Sequence, residues 1–169
     1  MFGIRTIHEE VLSVNNHAKE LVAEAELVLR EIAGIIKRRG RDILIDYPVT
    51  PPQFSALLAL RKLKNPTMTQ LCEYLSLASS TVTDLVDRME RNEMVERIRD
   101  AEDRRIIRLK ITKQGLKVVE AVVEQRRIYL TEVFEDIDGE TLQDLLRLLT
   151  LLRGKMQQHQ EKLKESETN

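Results

Sequence analysis

Asp103-Arg104-Arg105-Ile106-Ile107-Arg108-Leu109-Lys110-Ile111-Thr112-Lys113-Gln114-Gly115 decides how this chain folds. Ile107, Leu109 and Ile111 alternate with Arg108 and Lys110, a period of two that predicts a strand with one buried and one wet face. Upstream, Met94-Val95-Glu96-Arg97-Ile98 supplies a second strand. Together they predict a β-hairpin with a long charged tip and a basic outer face. A lone hairpin is marginally stable, so it must lean on helices.

Composition sets the outer limits. The chain has 169 residues, enough for one domain, or one domain with extensions. Charged residues make up 33% and aromatics 4%, a balance that favours long solvent-facing helices. No apolar run reaches the length of a membrane span. No apolar core with a small-residue cleavage site follows the acidic Glu9 and Glu10, and one cysteine, Cys72, excludes an internal disulfide framework. These features predict a cytoplasmic protein. The net charge of −1 hides an asymmetry: between Arg97 and Lys113 there are seven basic and three acidic residues. Basic charge gathered at the hairpin suits a nucleic-acid contact, though a solvated charged face explains the counts equally well.

Outward from the hairpin, the rest reads as helices. Val11, Val14, Ala18, Leu21, Ala25, Val28, Ile32 and Ile35 form a heptad seam, which seeks a partner helix over about 11–38. Lys37-Arg38-Arg39 and Gly40 read as its end, with cations opposing the helix dipole. Residues 42–49 read as a connector. Thr50 and Pro51 predict a helix start, followed by apolar Phe54, Leu57, Leu58 and Leu60. Thr67-Met68-Thr69 reads as the cap of a short helix, Gln70 to Leu75. Ser79 or Ser80 reads as the cap of another, with Val82, Leu85, Val86 and Met89 on its buried face. After the hairpin, Leu116 to Phe134 and a leucine-rich helix capped by Asp138 follow. Residues 158–169 form a polar tail.

Two short helices joined by a tight turn and followed by a basic hairpin make a winged helix-turn-helix. The fold class is mainly α with a small antiparallel β-wing, flanked by N- and C-terminal dimerisation helices. The winged part spans about 51–115, its helix-turn-helix about 68–91 and its wing about 94–111. On the second helix Ser80, Thr81, Thr83, Asp84, Asp87 and Arg88 form the polar face. Small hydroxyls at a helix start permit close approach to base edges and phosphates, while Ser79, Ser80 and Thr81 also suit plain capping.

Four segments carry a resemblance to the MarR family of bacterial transcriptional regulators. They are Leu71 to Leu75, Ser80 to Glu90, Val95-Glu96-Arg97, and the Asp103 to Gly115 stretch with its Asp-x-Arg and Thr-x-x-Gly. The resemblance covers about 11–157. It implies a homodimer on a near-palindromic stretch of double-stranded DNA; the role expected for this chain is that of a repressor. Arg105, matching the wing arginine, would enter the minor groove, Asp103 would orient it, and Arg104 would be a second wing contact. Ser79, Ser80, Thr81, Thr83 and Arg88 would face the major groove, and Thr69 and Gln70 the backbone. The family places Gly where this chain has Glu93, so Asn92 is expected to take the left-handed position. The resemblance further implies release by a small aromatic or amphipathic ligand, for which Tyr47, Phe54 and Tyr129 offer an aromatic wall; core packing explains each of them as well.

Other readings have less behind them. Redox sensing through Cys72 competes with a half-buried small residue in a short helix. His8, His17 and His159 form no metal-ligand spacing, so no metal and no cofactor are expected. No phosphate loop or nucleophile motif points to an enzyme. A protein-interaction module that docks an acidic partner on the wing is the remaining alternative.

Overall fold

The structure is a computed structural model that describes residues 3–167, with side chains from 17 to 163 and at 165 and 166. Helix α1 runs Gly3–Leu44, α2 Pro51–Leu63, α3 Met68–Leu75 and α4 Ser79–Arg91. Strands β1 (Val95–Arg99) and β2 (Ile107–Ile111) follow, then α5 (Lys113–Val133) and α6 (Gly139–Glu167). Two compact units emerge, one reaching to Glu124 and one starting at Gln125. The buried core lies wholly in the first, between Ile43 and Val122.

In that unit each short helix is stopped and started by local chemistry. Thr50 caps α2 in a capping box: its own N–H donates to Gln53 Oε1 at 2.8 Å, and Gln53 N–H donates back to the threonine hydroxyl. Thr67 and Gln70 repeat the arrangement on α3. That helix starts at Met68, two residues before the expected Gln70, because Thr67 rather than Thr69 satisfies the free N–H groups. The cap of α4 is Ala78, not Ser79 or Ser80, and no side chain caps it. Ser79 and Ser80 already lie within its first turn. Val82, Leu85, Val86 and Met89 are buried, as the spacing required.

Helix α1 does not end at Gly40. Gly40 is buried inside the helix, which continues until Ile43 and Leu44 have entered the core. Burial of those two apolar side chains offsets the poor helix propensity of one glycine. From His17 to Ile32 every α1 side chain is exposed, including Leu21, Val28 and Ile32 of the heptad seam. The side chains of Val11 and Val14 lie outside the described residues. In the second unit, Asp138 caps α6 by accepting from Glu140 and Thr141 N–H, both at 3.0 Å. These bonds hold its carboxyl below the usual range, the Thr141 backbone bond foremost. The expected polar tail is helical as far as Glu167. Among the described residues no helix is long and apolar enough to cross a membrane.

Strands β1 and β2 pair antiparallel, with Val95 opposite Ile111 and Arg99 opposite Ile107. The hairpin leans on the α2–α3 turn: Leu109 N–H donates to Pro66 O at 2.8 Å, and Thr67 bridges to Arg108. Leu109 is buried, an exchange with water that contributes about 2 kcal/mol. The alternation holds less well toward the tip. Ile107 is exposed rather than buried, while Leu109 two residues on is buried.

Candidate nucleic-acid interface

The α4-to-wing connection determines how the hairpin is aimed. Helix α4 ends in a Schellman motif. Met94 N–H donates to Met89 O and Glu93 N–H to Glu90 O, both at 2.9 Å. Glu93 occupies the left-handed position itself, with φ 57°, while Asn92 keeps φ −90°. The expected hand-over to Asn92 does not occur. The motif's geometry places the positive φ one residue past the cap, so a glutamate stands where glycine is cheapest.

The first turn of α5 grips the same connection from below. Thr112 donates its hydroxyl to Glu93 O at 2.6 Å and accepts from Gly115 N–H at 3.1 Å. Gln114 donates to Asn92 O. Gly115 is buried so tightly that a Cβ there would sit 2.3 Å from Met94 O and 2.9 Å from Ile111 Cγ1. The Thr-x-x-Gly pattern is thus a clamp: a hydroxyl that bonds in both directions and a residue without a side chain.

Two arginines fasten the base of the wing. Arg97 on β1 bonds Asp87 at 2.6 Å and also pairs with Glu90, both on α4. Arg108 on β2 pairs with Asp100 and donates to Asn65 O at 3.3 Å. Asp100 also accepts the N–H groups of Glu102 and Asp103, so it organises the start of the tip. With Arg108 as the main cause, its carboxyl is held down to about 2.

The tip itself is built differently. Asp103 receives Arg105 three times: from its backbone N–H and its Nε on Oδ1, and from Nη2 on Oδ2 at 3.0 Å. The Arg105 side chain remains 89% exposed even so. Its side-chain bond pulls the Asp103 carboxyl below its ordinary range and raises Arg105. The guanidinium is held by one edge and presents the other to water. Arg104 beside it is exposed.

On α4 the expected groove-facing residues separate. Ser79, Ser80, Thr81 and Arg88 are exposed. Thr83 is half-buried and spends its hydroxyl on Ser79 O at 2.9 Å. Thr69 is exposed at the start of α3, while Gln70, also exposed, uses its side-chain oxygen in the capping box. A groove of about 310 Å³ opens between the start of α2, at Thr50 and Gln53, and the α4 residues Ser80, Thr81, Asp84 and Arg88. Asp84 stands beside Ser80 and Arg88 on the polar face, as their spacing of four residues requires.

The aromatic residues do not share one surface in the first unit. Tyr47 lines a second groove of about 530 Å³ together with Arg41, Ile45 and Pro48. Phe54 is 2% exposed and belongs to the core, leaving no face for a ligand. Tyr129 belongs to the second unit. Cys72 is free, half-buried and packed against the core. Among the described residues no group of His, Cys, Asp and Glu is gathered as for a metal ion.

Comparison with known proteins locates this architecture. The sequence profile of the MarR family matches residues 49–107. The chain is 42% identical over 137 residues to the uncharacterised helix-turn-helix transcriptional regulator YsmB of Bacillus subtilis, covering 81% of this chain and 94% of that protein. The helix-turn-helix transcriptional repressor MdtR of the same organism is 25% identical over 125 residues, covering 74% of this chain and 81% of MdtR. Among solved structures, a MarR family protein from Bacillus stearothermophilus matches with a TM-score of 0.78 and 42% identity, over 82% of this chain and 97% of that one.

Proposed function

The chain belongs to the MarR family of DNA-binding transcriptional regulators, and on that premise we propose that it is a repressor that grips a near-palindromic operator as a homodimer. In this reading α4 enters the major groove and Arg105 the minor groove. Asp103 holds the Arg105 fork in register and does not itself approach phosphate. The observation that carries the reading is the exposed, edge-held Arg105 at the tip of a wing whose base is pinned to α4. The repressor assignment is supported by the name of MdtR. Dimerisation is supported by apolar side chains left in water: Leu21, Val28 and Ile32 on α1, and Leu146, Leu149 and Leu151 on α6. Helices with such faces are stabilised by burying them against a second chain.

Release by a small amphipathic molecule completes the proposal. The Tyr47 groove, with Arg41 at its edge and Ile45 81% exposed, suits an organic anion.

Sequencing the fragments that the purified protein selects from its genome tests the core of this reading. The expected outcome is an inverted repeat with half-sites about one helical turn apart. Affinity should fall with salt at a log–log slope of about −7, if roughly eight phosphates are neutralised. Failure to enrich any sequence, or a salt-insensitive interaction, would remove it.

A further inference from the structure

Four charged side chains stand on or beside the outward face of α4, opposite buried Val82, Leu85, Val86 and Met89: Asp84, Asp87, Arg88 and Arg91. Two of them are already committed. Asp87 bonds Arg97 at the wing base, and Arg91 donates its Nε to Asp87 O at 3.3 Å. Asp84 and Arg88 are exposed, and no hydrogen bond or ion pair engages either side chain among the described residues. Their order, acid four residues before base, is the one that favours a helical ion pair. They line the α4 wall of the 310 Å³ groove with Ser80 and Thr81 instead.

A carboxylate at this place is out of keeping with a phosphate contact, since it is repelled by every phosphate it nears. It can only accept hydrogen bonds. In the major groove the cytosine N4 amine is a donor with no acceptor beside it on the same base, whereas the adenine N6 amine sits next to the acceptor N7. Guanine and thymine offer only acceptors there. An arginine has the opposite preference, for guanine O6 and N7. A carboxylate and a guanidinium one helical turn apart therefore match the two halves of a C·G pair, or of neighbouring pairs.

Resting on the proposal that α4 lies in the major groove, we infer that Asp84 is a specificity-determining residue that selects cytosine at one position of each half-site, with Arg88 selecting guanine on the opposite strand. The carboxylate gives up general affinity for DNA in exchange for discrimination among bases.

The test is selection from a randomised duplex library by the full-length protein and its Asp84→Asn and Asp84→Ala variants, with thermal midpoints measured for all three. Asp84 is exposed, so the midpoints should agree. The expected wild-type result is one cytosine per half-site preferred over other bases by about five- to 150-fold. Asp84→Asn should move that preference to adenine, whose N6 and N7 match an amide, and Asp84→Ala should flatten it. Both variants should bind random DNA more tightly than wild type, having lost a repelled charge. If all three proteins select the same bases at every position, Asp84 reads nothing and the inference falls while DNA binding stands. If the wild type selects no sequence at all, the underlying reading falls with it.

Discussion

The base and the tip of the wing use the same pair of chemical groups for opposite ends. At the base, Arg97 and Arg108 have side chains only 29% and 35% exposed, and they reach carboxylates seven to ten residues away. At the tip, Arg105 is 89% exposed and reaches a carboxylate two residues away. A pair shielded from water and distant in sequence fastens two elements together. A pair in water and adjacent in sequence adds little to stability, because solvent screens it and the chain already holds the partners close. What such a pair does is restrict the directions in which a guanidinium can point.

The contrast can be broken from below. Gly115→Ala places a methyl group against Met94 O under the wing, and should cost about 3 kcal/mol in unfolding free energy by denaturant titration. A loss below about 0.5 kcal/mol would mean that the clamp yields. Arg105→Ala probes the tip: specific DNA affinity should weaken by about 2 kcal/mol, with stability unchanged within about 0.5 kcal/mol. Arg97→Ala should reverse that ranking and lower stability by about 1 kcal/mol. Equal effects of Arg97→Ala and Arg105→Ala on stability would erase the distinction between base and tip. Glu93→Gly should stabilise the fold by about 0.5–1 kcal/mol, by relieving a left-handed glutamate at some cost in chain entropy. Acid provides the last probe. Asp100 is held to about 2, below its ordinary value of 3.8, so the stability it lends is complete above pH 4 and is lost as pH falls through about 2. Arg108→Met should remove the largest share of that part of the acid transition in a pH-dependent unfolding series, leaving the share due to the Glu102 and Asp103 N–H groups.

Much of this was legible in the residues. The capping residues Thr50 and Asp138, the buried face of α4 and the antiparallel hairpin follow from spacing and side-chain chemistry within a few positions. The brace of Arg105 by Asp103 was implied by the family pattern, and both residues lie in one short loop. What stayed hidden depends on distant neighbours. Gly40 reads as a stop until the core that receives Ile43 and Leu44 is known. Arg97 and Arg108 look like two more wet cations until the strand register puts them beside Asp87, Glu90 and Asp100. Ile107 obeys the alternation yet stays exposed. Ser79 and Ser80 are good capping residues displaced by the turn that makes Ala78 the last extended residue before the helix.

The clamp formed by Thr112, Gln114 and Gly115 has a mechanical side. It joins the first turn of α5 to the three-residue connection that sets the direction of the hairpin, with a 2.6 Å bond on one face and a backbone contact that lacks room for a methyl group on the other. Such a joint has no slack. A roll at the head of α5 would therefore be carried into the wing, and Arg105, at its far end, would travel farthest. In such a motion the hairpin would be the pointer and the start of α5 its pivot.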